Sequence, residues 1–237
     1  MNKEQAFLER IAKRLGRTEP LRQKPERDVV GAPGFWREFR LSTGEKIGRF
    51  CESWRALTGV AEVVDSDEQA IEVLKRWVQE ENLQRLVRWD HPELEKLGID
   101  EALARDGVQV EVWSTSRVTA AKLPDRAMIQ MVNEADAGIT WVDYAVADTG
   151  TVCLFSSPGK ARSVSLLPPI HISIFRAEQL VTRIGEVLAK LDDMNRQSAL
   201  PAGVNFITGP SRSADIENDL SIGVHGPKKV YALIIRS

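Results

Sequence analysis

The stretch Ala137-Gly138-Ile139-Thr140-Trp141-Val142-Asp143-Tyr144-Ala145-Val146-Ala147-Asp148-Thr149-Gly150-Thr151-Val152-Cys153-Leu154-Phe155 decides the fold class. Its apolar runs, Ala137 to Val142, Tyr144 to Ala147 and Val152 to Phe155, lie too close together for helical crossovers. They predict antiparallel pairing, with Asp148-Thr149-Gly150 as a tight turn. On either side the pattern alternates between helices and strands. Upstream, Ser42-Thr43-Gly44-Glu45 and Ser66-Asp67-Glu68-Gln69 read as capping boxes. The first opens a helix with Ile47, Phe50, Cys51, Trp54 and Leu57 on one face, the second a helix with Ile71, Leu74, Trp77 and Val78. Val60 to Val64, Leu86 to Trp89 and Val108 to Trp113 predict strands, and Met128, Met131, Val132 and Ala135 mark a further helix.

Downstream, Ile170 to Phe175 predicts a strand. Ala177, Leu180, Val181, Ile184, Val187, Leu188 and Leu191 then form a helical stripe. Strands at Val204 to Ile207 and Val230 to Ile235 close the chain. Alternation around a β-rich middle predicts an α/β fold, a mixed, mainly parallel sheet covered by helices on both faces. Residues 3–16 form an amphipathic helix, and residues 17–34, rich in Arg, Lys, Pro and Gly, read as a linker. The expected division is therefore a helix and linker over 1–35 and an α/β domain over 36–237.

Composition narrows the function classes. A chain of 237 residues with net charge -2 has no electrostatic footprint for nucleic acid, and no apolar run approaches a membrane span. The N-terminus lacks the apolar core of a secretory signal, which predicts a cytoplasmic setting. The two cysteines, Cys51 and Cys153, are far apart, so the chain cannot supply four thiolates to an iron–sulfur cluster. The three histidines form no metal-ligand spacing. No metal and no cofactor is expected on this chain itself.

The candidate chemistry lies in three clusters. Phe206-Ile207-Thr208-Gly209-Pro210-Ser211-Arg212-Ser213-Ala214-Asp215-Ile216-Glu217 reads as a strand, a turn and a helix start, with Ser211 or Ser213 as the cap. That arrangement aims free N–H groups at one spot, with Thr208, Gly209, Ser211, Arg212 and Ser213 available to an anion. An ordinary βα loop with a solvated arginine is the alternative. On a mainly parallel sheet, these residues are expected beyond the carboxyl ends of the strands. His225, between Gly223 and Gly226-Pro227, follows closely. The second cluster is Asp148, Thr149, Gly150 and Thr151. One Asp-Thr-Gly triplet cannot make an aspartic protease, whose mechanism needs two carboxylates sharing a proton. The triplet either satisfies a turn or lines a pocket with hydroxyl and N–H donors. The third is Arg162, a loop cation beside Lys160. His171 faces away from Ile170, Ile172 and Ile174 on its strand, a position for a hydrogen-bonded or half-exposed imidazole. No dinucleotide or P-loop glycine motif occurs. No catalytic residue is assigned.

Five motifs in order, Gly138-Ile139-Thr140, Ala147 to Thr151, Leu167-Pro168-Pro169-Ile170-His171, Thr208 to Glu217 and Gly223 to Pro227, resemble the LUD domain family, in its LutC branch of lactate utilization proteins. The resemblance covers roughly residues 40–237. It implies a three-layer α/β/α fold related to the NagB/RpiA/CoA-transferase group. It also implies a cytoplasmic role in oxidising L-lactate to pyruvate, with iron–sulfur clusters carried by partner proteins resembling LutA and LutB. The same fold group hosts CoA transferases and sugar-phosphate isomerases acting on small anions. A CoA transferase needs a placed glutamate nucleophile, and Glu217, the only glutamate in these motifs, reads rather as a helix-start charge.

Overall fold

The computed structural model describes residues 3–21, 38–114, 126–214 and 220–236. It has two compact units, Met1–Arg40 and Leu41–Ser237. The first contains α1 (Lys3–Arg14), with Glu4 in its first turn and Lys13 and Arg14 in its last, charges that complement the helix dipole. Most of the expected linker, its residues 22–34, lies outside the described residues.

The second unit runs α2 (Thr43–Ala56), β1 (Val60–Val64), α3 (Asp67–Glu80), β2 (Arg85–Trp89), α4 (Pro92–Lys96), α5 (Ile99–Ala104) and β3 (Gln109–Trp113). After the gap come α6 (Arg126–Asn133), β4 (Ala137–Trp141), β5 (Tyr144–Val146), β6 (Thr151–Ser156), α7 (Arg162–Leu166) and β7 (Ile170–Arg176). It closes with β8 (Leu180–Val181), α8 (Ile184–Arg196), β9 (Gly203–Ile207), β10 (Arg212–Ala214), β11 (Leu220–Ile222) and β12 (Lys229–Ile235). The Ser42 box forms as its sequence dictates. Its hydroxyl accepts from the Glu45 N–H, and the Glu45 carboxylate accepts from the Ser42 N–H at 2.8 Å.

Six strands form one wholly parallel sheet in the order β1-β12-β7-β4-β2-β3. Gly138 and Thr140 of β4 register with His171 and Ser173 of β7, and Ser173 with Ala232 of β12, so these small or polar residues share one face. Helix α7 lies on that face. A Cβ built on Gly138 would stand 1.8 Å from the Val164 carbonyl oxygen, so only glycine admits the helix there. Helix α2 reaches the same face where Phe50 meets Phe175 edge-on at 5.3 Å. On the other face, Trp77 of α3 packs on Tyr231 at 4.8 Å, and the Asp100 carboxylate of α5 accepts from Nε and Nη2 of the buried Arg88 guanidinium, each at 2.6 Å.

The β-rich middle splits between two sheets. β5 and β6 pair antiparallel, with Val146 opposite Thr151, as the tight turn predicts. β4 does not join them. It is buried throughout between β2 and β7 in the parallel sheet, because its Ala-Gly-Ile-Thr-Trp sequence suits a strand covered on both faces. The chain changes sheet at Val142-Asp143. There the Asp143 carboxylate accepts from the Phe155 N–H and pairs with Lys160, both at 2.7 Å.

The second sheet has the order β8-β5-β6-β9. Its edge β8 corrects the long helix expected from Ala177. Residues 177–179 make a single 3-10 turn, Leu180 and Val181 pair with Ala145 and Val146, and the helix begins at Ile184. Strand pairing thus overrides a helical stripe that happens to match it. β9 is a partly exposed edge rather than a buried strand. The residues after it enter the β10/β11 antiparallel pair, with Arg212 opposite Ile222 and Ser213 opposite Ser221. The helix expected from Asp215 falls at 215–219, outside the described residues.

The Gly138 contact is directly testable. Replacing Gly138 by Ala should destabilise the domain by about 1–3 kcal/mol or more, because helix backbone rather than a flexible side chain must yield. Urea unfolding monitored by tryptophan fluorescence measures the shift, and an unchanged midpoint would mean that α7 is not held against β4.

Candidate functional site

A cleft of about 510 Å³ lies between β9, α7 and the loop that enters β12. Arg162, Ser165 and Leu166 form its α7 wall, and Val204 to Gly209 its strand wall. Ser211, Arg212, His225, Gly226 and Pro227 complete the lining. Among the described residues this lining holds two arginines and a histidine and no carboxylate. Ser211 is tied to the loop at 223–227 by three hydrogen bonds. Ser211 N–H donates to the Pro227 carbonyl at 2.9 Å, Gly223 N–H donates to the Ser211 carbonyl at 2.9 Å, and the His225 N–H donates to the Ser211 hydroxyl at 3.3 Å.

The cleft brings together Arg162, Thr208, Gly209, Ser211, Arg212 and His225. Thr151 joins them from behind. Its hydroxyl bonds those of Thr208 and Thr149, each at 2.8 Å, linking the cleft to the Asp148 turn. Asp148 and Gly150 face elsewhere. Ser53 donates to the Asp148 carbonyl at 3.1 Å, and the Asp148 carboxylate lies 3.7 Å from Arg49. Gly150 has φ 58°, and a Cβ there would meet the Trp54 nitrogen at 2.6 Å, so the triplet's glycine seats the turn on α2. Ser213 pairs with Ser221 in the hairpin and does not line the cleft.

Two roles differ from expectation. Arg162 is the first residue of α7 rather than a loop cation, exposed and with no side-chain partner among the described residues. Arg212 is not simply solvated. It donates to the Leu57 carbonyl at 2.7 Å and the Thr58 hydroxyl at 3.1 Å. That places a cation on an orphan carbonyl at the negative end of α2. The cleft also lies at the wrong end of the parallel sheet for the usual rule. Pro227 leads into β12, the Pro169 carbonyl that accepts from Lys228 N–H leads into β7, and Thr58 leads into β1. Residues 208–213 therefore flank the amino ends of these strands, because β9 belongs to the second sheet.

The family scan matches the LUD domain over residues 47–235. The chain belongs to the LUD domain family. It is 33% identical to lactate utilization protein C of Halalkalibacterium halodurans, covering 99% of this chain and 98% of that protein. It is 31% identical to lactate utilization protein C of a Geobacillus species, covering 97% of this chain and 94% of that one. Among solved structures, a DUF162 family protein from Deinococcus radiodurans superposes with a TM-score of 0.57 at 20% identity, covering 82% of this chain and 99% of that chain. This likeness supports the fold alone.

In this LUD domain the five motifs meet in space. Gly138 lies under Val164 and Pro168, Pro169 bonds Lys228, Ser211 bonds Pro227, and Thr208 bonds Thr151. Sequence reasoning missed Ser165, Asn205 and Phe206 as lining. Only the β9 register and the one-turn spacing of Arg162 and Ser165 would have suggested them. Of the two settings expected for His171, the structure shows the hydrogen-bonded one, wholly buried. Its Nε2 lies 2.9 Å from the Thr140 hydroxyl and its Nδ1 has no partner, while Ser173 and Ser163 hydroxyls are buried unpartnered nearby in sequence and register. Desolvation pushes the His171 pKa down to about 3. Both thiols are buried, and burial raises their pKa values, that of Cys153 to about 12, so neither is a reactive thiolate.

Two outcomes follow from these placements. Arg212→Ala should cost about 0.5–1.5 kcal/mol through the lost bonds to α2, whereas Arg162→Ala should stay within about 0.5 kcal/mol of the parent. Urea midpoints of both variants compare them, and equal midpoints would remove the distinction. For His171, the folded state refuses a proton that the unfolded state accepts once pH falls below the ordinary value of 6.5. Stability should therefore fall by about 1.4 kcal/mol per pH unit below that point from this group. His91, also lowered by desolvation, adds to the same limb. Unfolding at pH 7.5 and pH 5.5 should show a smaller loss for His171→Gln than for the parent.

Proposed function

We propose that this chain is a cytoplasmic component of an L-lactate utilisation system, which oxidises L-lactate to pyruvate together with iron–sulfur proteins resembling LutA and LutB. Family membership and the relatives' names support the pathway. The observation that carries the role of this chain is the cleft, where Arg162, Arg212 and His225 converge with the Thr208 and Ser211 hydroxyls and no described lining residue is acidic. Such a set accepts an anion: Arg162 offers a planar fork of donors, His225 a second donor, and the Thr149–Thr151–Thr208 chain holds the Thr208 hydroxyl in place. With two isolated, buried thiols the chain supplies no cluster ligands, so electron transfer is assigned to the partners. A CoA-transferase reading needs a carboxylate nucleophile in the cleft. None lines it among the described residues, and Glu217 lies outside them.

The test is reconstitution. Lactate-dependent dye reduction is measured for this chain alone, for the two candidate partners, and for all three together. The chain alone should be inactive, and its addition should raise the partners' rate. Arg162→Ala with His225→Ala should remove most of that increment. A full rate without this chain, or turnover by the chain alone, would overturn the proposal.

A further inference from the structure

Among the described residues, β9 is bonded on one side only, to β6. Alternate residues of any such edge direct free N–H and C=O groups outward, and proteins usually blunt them with charge, proline or brevity. The other edges of the two larger sheets follow that practice. β1 carries Glu62 at its centre, β3 carries Gln109 and Glu111, and β8 has only Leu180 and Val181. β9, Gly203-Val204-Asn205-Phe206-Ile207, contains no charge and no proline, and its Phe206 is exposed. This unblunted edge forms one wall of the cleft, and the facing wall supplies Arg162 and His225, whose side chains bond nothing among the described residues.

We propose that the cleft docks an extended, acidic segment of a partner protein, added as a strand along β9 with its carboxylates toward Arg162 and His225. Main-chain bonds to β9 would give affinity and the cationic wall would give selectivity, the division of labour seen in strand addition generally. A second copy of this chain is a poorer occupant. Pairing two β9 edges would bring together two clefts that each carry Arg162 and Arg212, and like charges repel. A lone small anion would use the arginines and leave the β9 edge idle. The inference rests on the reading of the cleft as anion-accepting, but not on the lactate pathway.

The probe is an acetylated, amidated peptide of alternating glutamate and valine, titrated into the full chain by calorimetry. Its lysine–valine counterpart, inorganic phosphate and L-lactate are the comparators. The acidic peptide should bind at least about tenfold more tightly than the basic one, a difference of about 1.4 kcal/mol. Amide exchange at residues 204–207 should slow on binding. Arg162→Glu with His225→Glu should reverse the preference, and its urea midpoint checks that the variant is folded. Absence of peptide binding, binding without protection of β9, or equal affinity for both peptides overturns the proposal. So does phosphate or lactate binding in place of the peptide, which identifies a small-anion site, or β9 protection that grows with protein concentration alone, which identifies self-pairing. The pathway assignment fails separately, in the reconstituted lactate assay.

Discussion

The arrangement depends on the absence of a side chain at residue 138. With the Val164 carbonyl 1.8 Å from where that Cβ would be, α7 sits closer to the sheet than any other residue type would allow. From that seat Leu167-Pro168-Pro169 turns directly into β7, and the Pro169 carbonyl takes the Lys228 N–H that starts β12. The same short helix presents Arg162 and Ser165 to the cleft. One steric condition in the middle of the sheet thus fixes a wall of the site and the entry of two central strands. Buried polar atoms without a partner, at His171, Ser173 and Ser163, gather on that same face.

Around this seat, the polar motifs divide between holding and facing. Gly150 and the Asp148 carbonyl fasten a turn to α2, and Arg212 fastens the hairpin to the C-terminus of the same helix. Thr149 and Thr151 act at one remove, through the Thr208 hydroxyl. Arg162 and His225 line the cleft with side chains that bond nothing else among the described residues. A cation already bonded to an orphan helix carbonyl must give up that bond or share it to hold a ligand, whereas Arg162 gives up only water.

Much of this was legible in the sequence where local rules and tertiary context agree. The Ser42 box, the strands from Val60 to Trp113 and the Asp148 turn are short-range features, decided by caps, periodicity and turn chemistry. The errors arose where a local pattern fits two structures. Ala177 to Leu191 has helical periodicity throughout, yet Leu180 and Val181 are claimed by β5. Val204 to Ile207 is apolar enough for a core strand, but an edge beside a cleft suits the same residues. Arg212 and His225 were recognisable as candidates from their glycine-rich surroundings. The division of labour between Arg212 and Arg162 was not, since it depends on Leu57 and Thr58, more than a hundred residues away.

The position of the cleft at the amino ends of the strands has a counterpart at the opposite edge. Ligands on parallel sheets ordinarily use the carboxyl ends, where helix N-termini offer positive potential. Here that potential is satisfied from within. Asp67 in the first turn of α3 and Glu93 in the first turn of α4 both accept from Arg176 of β7, and bonding to Asp67 raises the Arg176 pKa despite its partial burial. Lys160 pairs with Asp143, and the indoles of Trp89 and Trp113 donate to the Ala161 and Pro158 carbonyls, drawing the loop after β6 across the ends of β2 and β3. Among the described residues at that edge, Arg176, Lys160 and Arg236 each already have a carboxylate. An incoming anion would have to displace an internal one there. At the amino edge the proposed site offers Arg162 and His225 with no carboxylate among the described lining residues, on the side of the sheet where the usual rule does not look.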